Sequence, residues 1–151
     1  MAKRFAHILI VEDNPGDVEL LEIAFEMNGF SPRVQVAENG EVALARLQSL
    51  AAEGNLPDLV LVDLNMPRMN GFEVLRAMRE LGLEGVNTVV WTSSLADADR
   101  ERCLAMGARE FLSKPERIGE YIRLVDRLKV YLFAGADEEN TGEGDATERV
   151  G

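Results

Sequence analysis

The sequence predicts an α/β fold, a doubly wound five-stranded parallel sheet with helices on both faces. Five short apolar runs alternate along the chain with segments long enough to form helices. Parallel neighbours in a sheet require a crossover connection, and right-handed crossovers cover both faces of that sheet. The chain has 151 residues, of which 46% are hydrophobic, so it can form one domain with its own core.

The five predicted strands differ in their hydrophobic pattern. Two of them, HILIV and LVLV, are continuously apolar, whereas RVQVA alternates polar and apolar residues. A strand covered on both faces is continuously apolar, so the first and third strands are predicted to be central and the second to lie at an edge. In chain order the strands are HILIV (7–11), RVQVA (33–37), LVLV (59–62), TVVW (88–91) and EFL (110–112).

Asparagine, proline and glycine mark the ends of the predicted helices. Asn14 followed by Pro15 is typical of an N-cap with proline at the first helical position, and Asn28 followed by Gly29 is typical of a helix end. The remaining boundaries are Asn39-Gly40 and Asn70-Gly71 at helix starts and Gly54, Gly82 and Gly107 at helix ends. The fifth helix is predicted from about 116 to 133. These glycines form neither a dinucleotide-binding pattern nor a P-loop.

Charge and composition exclude several classes of function. The formal net charge is −11, and no basic cluster is present, so we expect no nucleic-acid partner. The apolar run before Glu12 is too short for a signal peptide or a membrane span, which predicts a cytoplasmic protein without a membrane partner. Cys103 is the single cysteine, and neither it nor His7 is given a role. We expect one domain over 1–133 and a flexible acidic tail over 134–151.

Polar side chains follow four of the five predicted strands. Glu12 and Asp13 come after the first strand, Asp63 after the third, Thr92 after the fourth and Lys114 after the fifth. Parallel strands end at the same edge of a sheet, and ligands bind in the crevice beyond those ends. We therefore expect these five side chains to share one site.

The expected electrostatics of this site indicate metal and phosphoryl chemistry. At an effective dielectric constant of about 20, two carboxylates about 5 Å apart repel each other by roughly 3 kcal/mol. Mg²⁺ prefers oxygen ligands and is typically held by one or two carboxylates, so we expect it to offset the repulsion. Lys114 and Thr92 can bind the oxygens of a phosphoryl group, and Asp63 is the candidate nucleophile for an aspartyl phosphate.

Four short motifs resemble the response-regulator receiver family: VEDN at 11–14, VDLNMPRMNG at 62–71, WTSS at 91–94 and SKP at 113–115. The resemblance spans residues 6 to about 133 and implies a flavodoxin-like strand order 2-1-3-4-5. It implies that Asp63 accepts phosphate from a histidine kinase. Bound Mg²⁺ would be held by Glu12, Asp13, Asp63 and the backbone carbonyl of Asn65.

The same resemblance implies a conformational switch at Thr92 and Phe111. Thr92 would turn toward the phosphoryl group, and the aromatic side chain on the fifth strand would turn inward. Phe111 stands where many relatives have tyrosine. No phenolic hydroxyl is available, so the switch would depend on packing alone.

The resemblance implies a single-domain regulator that catalyses only its own phosphorylation and dephosphorylation and signals through protein contacts. The opening EDNPGD (12–17) is similar to regulators paired with phytochrome-type histidine kinases. Two alternatives are a phosphorylation-independent binding module and a phosphohydrolase with an aspartate nucleophile. Such hydrolases usually carry a second aspartate two residues after the first, where this chain has Asn65.

Apolar residues on the predicted fifth helix form two seams, and a surface helix needs only one facing inward. We therefore expect a homodimer through the face formed by the fourth helix, the fifth strand and the fifth helix. One seam contains Ile118, Ile122, Val125 and Leu132, and the other contains Tyr121, Leu124, Leu128 and Tyr131.

Overall fold

The computed structural model describes residues 5–93 and 96–136, which form five parallel strands in the order β2-β1-β3-β4-β5. The predicted fold class and strand order are confirmed. The strands are β1 (His7–Val11), β2 (Arg33–Ala37), β3 (Leu59–Asp63), β4 (Thr88–Thr92) and β5 (Glu110–Ser113). The helices are α1 (Pro15–Met27), α2 (Gly40–Ala52), α3 (Gly71–Glu80), α4 (Asp97–Ala105) and α5 (Ile118–Ala136).

The strand register aligns the residues that follow the strands at one edge of the sheet. Val11 of β1 is opposite Val62 of β3, so the residues that follow these two, Glu12 and Asp63, lie at the same level. β2 pairs with β1 and lies at the edge of the sheet, while β1 and β3 are central, as their hydrophobic patterns predict. The register thus brings distant segments of the chain together at the carboxyl ends of the strands.

The sheet separates two hydrophobic cores. Alternate side chains of a strand point to opposite faces, so Ile8 and Ile10 belong to the core beneath α1 and α5. Leu9 and Val11 belong to the core beneath α2, α3 and α4. Every residue of β1 is buried, which explains why its sequence is continuously apolar apart from the histidine at its start.

Side-chain caps fix the helices that start beside the carboxyl edge of the sheet. The Asn14 side chain accepts hydrogen bonds from the backbone N–H groups of Gly16 and Asp17 at the start of α1. Asn70 and Glu73 form a capping box at the start of α3. Gly29, which follows the C-cap Asn28 of α1, has a φ of 68°, the left-handed conformation typical of a helix end. These predicted boundaries are confirmed.

The expectation of a second, outward-facing seam on α5 is wrong. The helix packs against both the sheet and α1, and it buries a stripe wide enough to include members of both seams. Val125 and Leu132 belong to one seam, and Leu124 and Leu128 to the other, yet all four are buried. The helix also begins two residues later than predicted, at Ile118, and continues to Ala136.

Among the described helices, none combines the length and the apolar character needed to cross a bilayer. The side chains of 133–136 and the whole of 137–151 lie outside the described residues, so the acidic tail expected over 134–151 stays a prediction.

Candidate functional site

Three carboxylates meet at the carboxyl edge of the sheet. Glu12 and Asp13 directly follow β1, and Asp63 is the last residue of β3. One oxygen from each side chain lies within 4.8 Å of an oxygen from each of the other two. The predicted convergence of Asp13 and Asp63 is therefore confirmed, and we call these three residues the acid cluster.

Burial makes the negative charge of the acid cluster unfavourable. Glu12 is only 2% exposed and Asp63 only 4%, whereas Asp13 is exposed. Burial raises the pKa of Glu12 to about 7, and the charge of Asp63 adds to this rise while Lys114 opposes it. Burial also raises the pKa of Asp63, against the opposing charge of Lys114. A bound cation would relieve this accumulation of negative charge.

One oxygen of Glu12 has an ion-pair partner but no hydrogen-bond donor among the residues that the structure describes. Oε2 accepts a hydrogen bond of 3.1 Å from the backbone N–H of Asn14, but the buried Oε1 accepts none from the described residues. Lys114 Nζ is 3.0 Å from Oε1 and forms an ion pair there, without the geometry of a hydrogen bond. An under-coordinated carboxylate oxygen beside two further carboxylates fits a hard divalent cation such as Mg²⁺.

Lys114 supplies the positive charge of the site. Its backbone N–H donates a hydrogen bond of 2.8 Å to the carbonyl oxygen of Thr92, which holds the residue beside the end of β4. Its Nζ lies 2.8 Å from Asp17 Oδ2, 3.0 Å from Glu12 Oε1 and 3.5 Å from Asp63 Oδ2. Burial lowers the pKa of Lys114, but the contacts with Asp17 and Glu12 more than offset that effect and raise the pKa overall.

Asp17 is a site residue that the sequence analysis missed. It lies in the first turn of α1, and its side chain reaches Lys114 across 97 positions of sequence. The sequence feature that could have indicated Asp17 is its position three residues after the N-cap Asn14. This end of α1 adjoins the carboxyl edge of the sheet. An acid in a first helical turn is common for reasons unrelated to a site, so the pattern alone did not single it out.

Thr92 and Asn65 lie on the side of Asp63 toward β4. Thr92 is fully buried, and its Oγ1 accepts a hydrogen bond of 3.2 Å from Asn65 Nδ2. The backbone N–H of Asn65 donates a hydrogen bond of 3.3 Å to Asp63 Oδ1. Phe111 is half-buried and packs against the core beneath α2, α3 and α4. The metal-ligand role of the Asn65 carbonyl and the switch at Thr92 and Phe111 stay predictions.

The start of α3 packs directly on the backbone that carries Asp63. The N–H of Gly71 donates a hydrogen bond of 2.9 Å to the carbonyl oxygen of Leu64. A Cβ atom at Gly71 would lie 2.8 Å from the carbonyl oxygen of Asp63 and 2.9 Å from Leu64 Cα. Only glycine allows this close approach, so the start of α3 fixes the backbone that carries Asp63.

The arrangement suits a carboxylate that receives an anionic group. Asp63 presents a carboxylate next to a partly buried ammonium, a threonine hydroxyl and two further acids that can share a cation. A transferred phosphoryl group needs positive charge and hydrogen-bond donors around its oxygens.

Comparisons with known proteins agree with this geometry. Residues 8–126 match the model of the response regulator receiver domain. The chain is 36% identical over 126 residues to the probable methanogenesis regulatory protein FilR2 of Methanothrix harundinacea, covering 82% of this chain and 81% of that protein. It is 36% identical over 122 residues to the two-component response regulator ORR41 of Oryza sativa subsp. japonica, covering 79% of this chain and 93% of that protein.

Solved structures give the same fold. The Mn²⁺-bound form of the response regulator Rcp1 superposes with a TM-score of 0.72 and 26% identity, covering 84% of this chain and 94% of that one. The phosphorylated cyanobacterial phytochrome response regulator RcpA superposes with a TM-score of 0.77 and 25% identity, covering 88% of this chain and 97% of that one.

Proposed function

Because the chain belongs to the response regulator receiver family, we propose that it is a single-domain response regulator of a two-component system. A histidine kinase donates a phosphoryl group to Asp63, and the phosphorylated protein signals through protein contacts. The observation that carries this proposal is the position of Asp63, buried within the acid cluster and 3.5 Å from Lys114 Nζ.

The proposed transfer uses an oxygen of Asp63 as the nucleophile. A bond forms between this oxygen and phosphorus while the phosphorus–nitrogen bond of the kinase phosphohistidine breaks. The nitrogen keeps the bonding electron pair, and the imidazole leaves neutral when its other ring nitrogen carries the proton. In this proposal Lys114 and Thr92 bind the phosphoryl oxygens, the lysine by charge and the threonine by its hydroxyl.

Glu12, Asp13, Asp63 and the backbone carbonyl of Asn65 are the proposed ligands of Mg²⁺. Mg²⁺ bound there would neutralise part of the charge of the acids and of the incoming phosphoryl group. The 4.8 Å grouping of the carboxylate oxygens supports this assignment. The solved structures that superpose on this chain include a Mn²⁺-bound form, Rcp1, and a phosphorylated form, RcpA, which further supports a divalent metal and a phosphoryl group as ligands of this chain.

A phytochrome-type histidine kinase is the proposed partner. The support for this pairing is the similarity to RcpA, described as a phytochrome response regulator. Phosphoryl transfer from such a kinase would take place in the cytoplasm.

Acetyl phosphate and Mg²⁺ provide a test without the kinase. The wild-type protein is expected to gain the mass of one phosphoryl group, and Asp63→Asn none, because an amide is a poor nucleophile. Asp97→Asn, which replaces an exposed acid on α4, is the matched control and is expected to react like the wild type. Intact-protein mass spectrometry measures the gain. Equal modification of the wild type and Asp63→Asn, or no modification of the wild type, would contradict the proposal.

Homodimerisation through α4, β5 and α5 is a second part of the proposal. The described large apolar side chains that these elements expose are Leu104, Ile118 and Val130, a smaller set than the two-seam pattern predicted. We expect light scattering to report a dimeric mass. A monomeric mass at micromolar concentration would count against the dimer.

A further inference from the structure

We propose that Asp17 is a positioning residue that holds the Lys114 ammonium beside α1 in the unphosphorylated protein and competes for it with a phosphoryl group on Asp63. The inference rests on the proposed function and adds to it a residue that sets how strongly the site binds a phosphoryl group. Two observations support it: the contacts of Lys114 and the capping of α1 by Asn14.

The contacts of Lys114 favour Asp17 over the acid cluster. Its Nζ donates a hydrogen bond of 2.8 Å to Asp17 Oδ2. The ion pair with Glu12 lacks hydrogen-bond geometry, and the distance to Asp63 Oδ2 is 3.5 Å. Lys114 is therefore held most directly by a carboxylate outside the acid cluster. A hydrogen bond to a phosphoryl oxygen on Asp63 would require the ammonium to shift toward that residue.

A purely structural role of Asp17 in capping α1 does not account for these contacts. The side chain of Asn14 already accepts hydrogen bonds from the N–H groups of Gly16 and Asp17 itself. Asp17 can still interact favourably with the helix dipole, but that interaction does not require its side chain to contact Lys114. Burial raises the pKa of Tyr121 on α5 to about 12, and the charge of Asp17 adds to this rise.

The charge of Asp17 should favour the binding of Mg²⁺ and disfavour the binding of a phosphoryl group. A carboxylate near the acid cluster attracts Mg²⁺, and it also draws Lys114 away from the position where the ammonium would compete with the metal. The same carboxylate repels a phosphoryl group and competes for its lysine. Replacing Asp17 by asparagine should therefore weaken Mg²⁺ binding and strengthen binding of a phosphoryl mimic once Mg²⁺ is saturating. A general loss of structure would weaken both.

The test measures two affinities, for Mg²⁺ and for beryllofluoride, which mimics a phosphoryl group. The proteins compared are the wild type, Asp17→Asn, Asp17→Glu and Glu22→Gln. Glu22 is an exposed acid on α1, so Glu22→Gln removes the same charge from the same helix without changing the Lys114 contacts. Mg²⁺ and then beryllofluoride at saturating Mg²⁺ are titrated by calorimetry. Trp91 fluorescence is a second readout, because Lys114 Nζ lies 5.2 Å from the centroid of the Trp91 ring and its movement should change the emission. Melting curves establish that each variant is folded.

We expect Asp17→Asn to bind beryllofluoride about two- to fivefold more tightly than the wild type, the size of effect typical of an ion pair near the surface. Its affinity for Mg²⁺ should fall by about two- to fivefold. Glu22→Gln should match the wild type, and Asp17→Glu, which keeps the charge, should stay within about twofold of it.

Unchanged or weaker beryllofluoride binding by Asp17→Asn would overturn the proposal while leaving the proposed function intact, provided that the wild type binds. Should Asp17→Asn and Glu22→Gln change both affinities equally, net charge alone would explain the result and the specific role of Asp17 would be refuted. Failure of the wild type to bind beryllofluoride would instead refute the proposed function.

Discussion

Raising the pH from about 5.5 to about 8 without divalent metal is expected to lower the free energy of unfolding by about 1 to 3 kcal/mol. The pKa of Glu12 is about 7 in the folded protein against an ordinary value of 4.5, so between these values the folded state binds more protons than the unfolded state. Stability contributed by such a group is present below its unfolded pKa and is lost as the pH rises through its folded pKa. The pKa of Asp63 is raised as well, which acts in the same direction.

Added Mg²⁺ should restore this lost stability at about pH 8, because a ligand that binds only the folded state stabilises it. Chemical denaturation at both pH values, with Mg²⁺ or with a chelator, measures the effect. Glu12→Gln is the matched control: it keeps the shape of the side chain but cannot ionise, so both the loss of stability and its recovery should shrink. The same response in Glu12→Gln and wild type would show that other groups control the pH dependence.

Gly71→Ala is expected to destabilise the protein by about 2 to 3 kcal/mol, since an added methyl group in a closely packed position forces the backbone to move. The new Cβ would lie 2.8 Å from the carbonyl oxygen of Asp63 and 2.9 Å from Leu64 Cα. Both are backbone atoms, so no side chain can rotate away to relieve the contact. The displaced backbone carries the proposed phosphoacceptor, and phosphorylation by acetyl phosphate should therefore also slow.

Gly119→Ala is the control for this substitution. Gly119 also lies in the first turn of a helix, α5, but nothing would lie within 4 Å of its new Cβ atom. Alanine there should be neutral or stabilise the protein by about 0.5 kcal/mol, because it restricts the unfolded chain and favours the helix. Melting curves and phosphorylation rates of both variants decide the matter. Equal stability of Gly71→Ala and Gly119→Ala would contradict the close packing of α3 on Asp63.

The sequence predicts those features of the fold that depend on local pattern. Continuous apolar runs correctly indicated that β1 and β3 are central, because strands covered on both faces need apolar residues at every position. Asn14 and Asn70 correctly marked helix starts, because their side chains bind backbone N–H groups within the same turn. The convergence of Asp13 and Asp63 also followed, since parallel strands end at one edge.

Features that depend on the relative placement of distant elements could not be predicted in the same way. The contact of Asp17 with Lys114 depends on where α1 meets the loop after β5 and on how far a flexible lysine reaches. The burial of Val125 and Leu132 depends on the packing of α5 against both α1 and the sheet. A helical pattern shows how wide an apolar stripe is, but it does not show how much of that stripe the neighbouring elements cover.

Borohydride reduction followed by peptide mapping tests most directly whether the Asp63 carboxylate becomes an acyl phosphate. Borohydride converts an aspartyl phosphate to homoserine, which marks the phosphorylated position permanently. After treatment with acetyl phosphate and Mg²⁺, we expect homoserine at position 63 and the unmodified acids Glu12, Asp13 and Asp17. Homoserine at another acidic residue, or its absence from a protein that has gained phosphoryl mass, would contradict an acyl phosphate on Asp63.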